Sequence, residues 1–342
     1  MTFTALMTRA VERLPLPDGV TLAGISHLVG RTGRRMDATG GRNEFLFAQD
    51  MMRHAIAEHT ADANAQHYEI PAEFFRVVLG PRRKYSCCLY ENGAENLAAA
   101  EEVALAATAQ HAGLADGQDI LELGCGWGSL TLWMGEHFPK SKITAVSNSL
   151  SQRKHIMGEA QRRGLSNVTV HTIDMNDFRA EGCFDRVVSV EMFEHMSNWQ
   201  TLLERVRGWL KDDGRLFLHV FTHRTASYRF DHSDKADWIA QHFFTGGIMP
   251  SHTLIRKFDR LFSVEEEWRW NGRHYERTAL DWLANFDDNL PEIDRILASV
   301  YGADARLWRR RWRLFFLATA GLFGHGGGEQ WGVSHYRLRT AR

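Results

Sequence analysis

Ile120–Ser129 reads I-L-E-L-G-C-G-W-G-S, and this stretch decides the fold. Ile120 to Leu123 has the length and apolar weight of a buried strand. Gly124, Gly126 and Gly128 follow at alternate positions, and Leu130-Thr131-Leu132-Trp133-Met134 continues as a helix. A strand, a tight glycine turn and a helix start let backbone approach a ligand closely, and they point unpaired N–H groups at it. The G-x-G-x-G spacing lacks the lysine ending of a P-loop, so phosphate binding of that type is not expected. Taken alone, the stretch also fits a glycine-rich turn in any doubly wound domain.

Working outward, the chain alternates strands with helices. Lys142–Val146 reads as a second strand ending in Ser147-Asn148-Ser149, and Leu150–Arg163 as a helix. Asn167–Ile173 is a third strand, closed by Asp174-Met175-Asn176. Phe184–Val190 is a fourth, closed by Glu191-Met192-Phe193-Glu194-His195, and Arg215–Phe221 a fifth. This alternation predicts an α/β fold with a parallel sheet, in which ligands sit at the carboxyl ends of the strands. Each polar cluster just named stands at such an end.

The flanks differ. Residues 1–70 are expected to form an N-terminal helical segment, with an amphipathic helix over Asn43–Asn64 (Phe45, Phe47, Met51 and Ile56 on or near one face) set off by Gly40-Gly41. Tyr85, Ser86 and Cys87 lie in a loop before a long helix, Asn96 to Ala112, well placed to line a pocket. Residues 71–342 then make the main domain. Helical cap elements at about 223–262 and 278–325 interrupt its late strands, and Gly332–Arg339 closes it as a strand.

Composition bounds the function. A net charge of -1 implies no general attraction to nucleic acid or anionic lipid. The cysteines, Cys87, Cys88, Cys125 and Cys183, contain no C-x-x-C pair. Neither a metal site nor a disulfide framework is expected, and a reducing, cytoplasmic location fits. Charges at Arg9, Glu12 and Arg13 break any secretory h-region, and no apolar run has the length of a membrane span. The Arg309-Arg310-Arg311-Trp312-Arg313 run reads as the solvated face of a helix.

From about Tyr68 onward the chain resembles the cyclopropane-fatty-acid-synthase-like methyltransferases, and within them the coclaurine N-methyltransferase branch. The resemblance rests on Y-S-C at Tyr85–Cys87, L-E-L-G-C-G-W-G at Leu121–Gly128, T-A-V-S-N-S at Thr144–Ser149 and E-M-F-E-H-M-S-N at Glu191–Asn198. It also rests on L-F-L-H-V-F at Leu216–Phe221, F-F-T-G-G-I-M-P-S at Phe243–Ser251, N-G-R-H-Y-E-R-T at Asn271–Thr278 and G-E-Q-W at Gly328–Trp331. The resemblance implies a class I, Rossmann-like methyltransferase sheet and S-adenosylmethionine as cofactor. Tyr85, Ser86, Gly124 and Gly126 would hold its methionine end, Ser147, Asn148 and Gln152 the ribose, and Asp174 and Met175 the adenine. Ser147 and Asn148 also suit a helix cap.

Methyl transfer to nitrogen needs a neutral amine in line with the S–CH3 bond. Glu191, Glu194 and His195 follow the fourth strand, where a carboxylate can bind an ammonium group and a carboxylate–histidine pair can take its proton. The expected reaction is N-methylation of a small aromatic or heterocyclic amine. The alternative is cyclopropane formation or methylation on a fatty-acyl phospholipid, for which the resemblance implies a bicarbonate base held by Cys87, Glu194, His219 and Tyr275. The plant N-methyltransferases carry Ser where Cys87 stands. A third reading is a cofactor-binding protein without catalysis.

Overall fold

The computed structural model describes residues 12, 16–39, 44–58, 70–91, 94–234 and 237–341. Gly40-Gly41 and all of 59–69, with His67-Tyr68-Glu69 in it, lie outside the described residues.

Five strands run parallel: β1 (Asp119–Leu123), β2 (Lys142–Ser147), β3 (Val168–Thr172), β4 (Phe184–Val190) and β5 (Leu210–His223). Short strands β6 (Tyr228–Arg229) and β7 (Ile248–Met249) pair separately. β8 (Phe262–Asn271) and β9 (Trp331–Thr340) complete a seven-stranded sheet of order β3-β2-β1-β4-β5-β9-β8, with β9 antiparallel to both neighbours. The sheet is of the Rossmann-like type expected. Leu123 pairs with Val146 on one side and Ser189 on the other, and Val190 pairs with His219. The register therefore brings the loops at Gly124, Ser147 and Glu191 out together.

Several of the helices begin at a side-chain cap. α1 (Asp18–Thr39), α2 (Glu44–Met51) and α3 (Ala72–Val78) precede the sheet. α4 (Leu97–Ala112) begins at Asn96, whose side chain accepts from Ala99 N, and ends at Gly113 in the left-handed region. α5 (Ser129–His137) follows the glycine loop, and α6 (Leu150–Arg162) is capped by Ser149. α7 (Trp199–Trp209) is capped by Asn198. Such caps contribute about 1 kcal/mol each. α8 (Trp238–His242) lies between β6 and β7. α9 (Gly272–Asp288), α10 (Leu290–Tyr301) and α11 (Ala305–Gly324) are inserted between β8 and β9. The cap expected over 278–325 is these three helices.

Some elements differ from expectation. The helix expected over Asn43–Asn64 stops at Met51, and residues 52–58 turn instead, so that Ala57 bridges to Met196. Its apolar side is also narrower: Met51 and Ile56 are buried, but Phe45 is 60% exposed. β5 begins at Leu210 and not at Arg215, with an irregular register against β4.

The basic run on α11 is not a solvated face. Trp312 is fully buried, Arg309 pairs with Asp294, Arg311 with Glu12, and Arg313 with both Asp18 and Asp287. The Arg313–Asp18 pair ties α1 to α11. Gly321 and Ile25 pack so closely that a Cβ on Gly321 would come within 2.5 Å of Ile25 Cγ2. Among the described residues no helix is long and apolar enough to cross a membrane.

Candidate active site

A cavity of about 1160 Å³ opens at the carboxyl ends of β1, β2 and β4, between the sheet and the cap. At its floor, Gly124 and Gly126 have φ of 79° and 50°, a region that side chains make costly. A Cβ on Gly124 would strike Met192 Cγ at 2.5 Å, whereas one on Gly126 would meet nothing within 4 Å. Gly126 thus presents bare backbone to open space, as a ligand-cradling glycine must.

The residues expected to hold a cofactor converge on this half. Tyr85, Ser86, Gly124, Gly126, Ser147, Asn148, Gln152, Asp174 and Met175 all line the cavity. Ser147 Oγ donates to Gln152 Oε1 at 2.6 Å, so the pair is fixed as a unit beyond β2. Asp174 Oδ1 accepts from Asn176 N and shapes its turn. Glu122, buried in β1, accepts from Thr131 Oγ1, and burial raises its carboxyl to about 7.

Sequence reasoning missed Thr108, Trp127 and Ser129. All three line the cavity, and Thr108 Oγ1, Trp127 Nε1 and Ser129 Oγ are buried without a hydrogen-bond partner among the described residues. Buried polar atoms left unpaired cost free energy unless a ligand completes them. Trp127 and Ser129 stand inside the glycine motif itself and could have been noticed there. Thr108 sits mid-helix on α4 and carried no such signal.

The expected catalytic residues separate into two groups. Glu191, His195 and Tyr275 line the cavity. Glu194, Cys87 and His219 are wholly buried and are not among the residues lining it. Glu191 is the centre of the cluster. Its Oε1 accepts from Cys87 N at 3.0 Å and lies 3.1 Å from His219 Nε2, and its Oε2 accepts from the Tyr275 hydroxyl at 2.6 Å. Its φ of 47° is unusual for a residue other than glycine and costs on the order of 1 kcal/mol.

Burial raises the Glu191 carboxyl, while the Lys84 charge, the Cys87 N–H and the Tyr275 hydroxyl pull it back down. Lys84, also unforeseen, is 2% exposed and donates to Ser86 Oγ and to Cys87 O, both at 2.6 Å.

Around this centre the other groups stay neutral. Burial and the Glu191 charge push Glu194 well above the carboxylate range, and burial with the Lys84 charge pushes His219 well below the usual imidazole value. Burial and Glu191 together keep the Tyr275 hydroxyl protonated. Cys87 acts through its backbone: its thiol is raised by burial and is directed at Cys88 O. Glu194 Oε1 accepts from Phe221 N at 2.6 Å, which fixes the end of β5. His195 stands in the cavity with its ring 4.3 Å from that of Phe244. Phe230, Trp282, Phe315 and Phe323 and Ile25 and Leu28 of α1 supply the apolar part of the remaining wall, and Glu58, Arg229, Asp231, Asp234 and Asp237 also line it.

Comparison with known proteins gives this geometry a context. The family model described as mycolic acid cyclopropane synthetase matches residues 56–329. The chain is 35% identical over 285 residues to (S)-coclaurine N-methyltransferase of Thalictrum flavum subsp. glaucum, covering 82% of this chain and 79% of that one. It is 30% identical over 284 residues to cyclopropane-fatty-acyl-phospholipid synthase of Escherichia coli (strain K12), covering 81% and 69%. Among solved structures, that of a coclaurine N-methyltransferase bound to N-methylheliamine and SAH superposes with a TM-score of 0.89 at 31% identity, covering 97% of this chain and 98% of that one.

Proposed function

Since this chain belongs to the mycolic acid cyclopropane synthetase family and is an S-adenosylmethionine-dependent methyltransferase, we propose that it N-methylates a small aromatic or heterocyclic amine. The cofactor supplies a methyl group made electrophilic by its sulfonium. Gly124, Gly126, Tyr85 and Ser86 would hold the methionine end, Ser147, Asn148 and Gln152 the ribose, and Asp174 and Met175 the adenine. The fit is favourable: a glycine cradle with open space above it, and three unpaired polar atoms around it. Neutral hydrogen bonds from the Ser147–Gln152 unit stand where a carboxylate would grip ribose hydroxyls.

The acceptor would enter on the aromatic side, where flat rings can stack. Glu191, as carboxylate, would draw the cationic amine toward the cofactor, and His195 would take its proton so that the nitrogen lone pair can attack. Tyr275, His219 and Cys87 N hold Glu191 in place. Glu194 acts from behind by fixing the Phe221 backbone. Residues 1–70 would serve the main domain, 71–342, through α1, which walls the acceptor side. Free cysteines, among them buried Cys87, Cys88 and Cys125, suit the cytoplasm.

One observation carries nitrogen over lipid. The bicarbonate of the lipid reading needs the groups around Cys87, His219 and Tyr275, and Glu191 already engages all three. Competition between secondary amines and unsaturated phospholipid vesicles, read by mass spectrometry for one added CH2, tests this. Product on the amine is expected. Product on the acyl chain alone, dependent on added bicarbonate, would overturn the assignment.

A further inference from the structure

Behind the cavity, three histidines continue the hydrogen bonding of Glu191 across one face of the sheet. His219 Nε2 lies 3.1 Å from Glu191 Oε1, His335 Nε2 lies 2.8 Å from His219 Nδ1, and His111 Nδ1 lies 2.8 Å from His335 Nδ1. His219 on β5 and His335 on β9 are register partners and fully buried. His111, in the last turn of α4, is half-buried, with its ring stacked on Trp268 at 3.9 Å. Register partners project from the same face, so the file runs across that face from the cavity to α4.

One histidine would be enough to satisfy Glu191. Two more, joined end to end inside an aromatic wall of Phe217, Trp268 and Trp270, do nothing further for that carboxylate as static donors. A neutral imidazole has one N–H and one acceptor nitrogen, so the file admits two hydrogen registers. In the inward register His219 Nε2, His335 Nε2 and His111 Nδ1 carry the hydrogens, and Glu191 is a carboxylate. In the outward register Glu191 carries a proton, as do His219 Nδ1, His335 Nδ1 and His111 Nε2. Burial holds His219 and His335 neutral, as either register needs.

We propose that this file is a proton path for Glu191, and that entry of the sulfonium cofactor drives one proton along it to His111 and the water beside it. The proposal rests on the cofactor assignment above. In the open cavity Glu191 is protonated and the file is outward. A cation beside Glu191 favours the carboxylate. The Glu191 O–H bond then breaks as His219 Nε2–H forms. His219 Nδ1–H breaks as His335 Nε2–H forms, and His335 Nδ1–H breaks as His111 Nδ1–H forms. The proton on His111 Nε2 passes to water. Departure of the cation reverses each step, so the file resets without turning a ring. The groups facing the path are the Lys84 charge and the neutral Glu194 carboxyl at the inner end and the Glu266 and Arg337 charges at the outer end.

Calorimetry of the full chain with S-adenosylmethionine, in two buffers of different ionisation enthalpy, counts the protons, and stopped-flow mixing with a pH indicator gives their rate. About one proton should be released per cofactor bound, and markedly less with S-adenosylhomocysteine, which has no sulfonium charge. His335→Phe and His111→Ala should slow the release on the order of tenfold or more. Added imidazole should restore His111→Ala, a recovery that a purely structural role would not give. Should His335→Phe fail to fold, the half-buried His111 position carries the test. Binding without proton release, equal release with both ligands, or wild-type rates in the folded variants would overturn the proposal. No binding of S-adenosylmethionine at all would instead remove the cofactor reading beneath it.

Discussion

Removing the Tyr275 hydroxyl, by Tyr275→Phe, tests the assignment of Glu191 as the working carboxylate. That hydroxyl donates to Glu191 Oε2 at 2.6 Å and is that oxygen's only hydrogen-bond donor among the described residues. A hydrogen bond to a charged group contributes about 1.5–3 kcal/mol, and here its loss strands a buried carboxylate oxygen. The lost stabilisation belongs to the ionised form alone, so the variant should hold its proton more tightly. At about 1.4 kcal/mol per tenfold, the acid limb of the kcat/KM profile should move up by about one to two pH units. The sign for stability follows. The wild type and variant should be equally stable at low pH, where Glu191 is protonated in both. The variant should fall behind as pH rises through the interval where only the wild type has ionised, losing about 1.5–3 kcal/mol above it. Denaturant melts at several pH values, beside rate profiles on one amine, measure both effects. An acid limb that stays in place, with activity otherwise intact, would refute Glu191 as the group that must be ionised.

The other predictions concern separate parts of the site. Gly126→Val should abolish cofactor binding by calorimetry, because its side chain would fill the open space above the glycine loop; the left-handed backbone adds roughly 1–2 kcal/mol of strain. Retained affinity would displace the cofactor from that loop. His195→Ala should lose most turnover, on the order of a hundredfold, with cofactor affinity unchanged, if its ring is the proton acceptor. Glu122→Gln should gain stability over the wild type as pH rises. Burial raises the folded carboxyl from 4.5 to about 7, so ionising it weakens the wild-type fold progressively across that window. The difference above it approaches about 3 kcal/mol in urea melts of the free enzyme.

The sheet was legible because its strands are short apolar runs that end in polar clusters, and those clusters define the ligand edge whatever the packing details. The glycine-loop side of the cavity was legible for the same reason: Gly124, Ser147 and Asp174 each stand at or just past a strand end. The aromatic side was not. Phe230, Trp282 and Phe315 come from segments far apart in sequence, and aromatic counts cannot say which rings face a cavity. The basic run at 309–313 misled because a charge pattern shows no partners, and Asp18 and Asp287 lie on other helices. The helix expected through Asn64 failed because an amphipathic pattern says nothing of the bridge from Ala57 to Met196 that ends it.

The division at the catalytic centre is the sharpest. Sequence alone determined that Glu191, Glu194 and His195 stand at the end of the fourth strand, since strand ends follow from local pattern. It could not separate the two glutamates. Only the tertiary structure did so, by turning Glu191 into the cavity at a left-handed φ, onto donors from β5, α9 and the loop before α4, and by setting Glu194 behind it against the Phe221 backbone. Which carboxylate ionises depends on which one gathers donors and a nearby lysine, and those contacts span more than a hundred residues of chain.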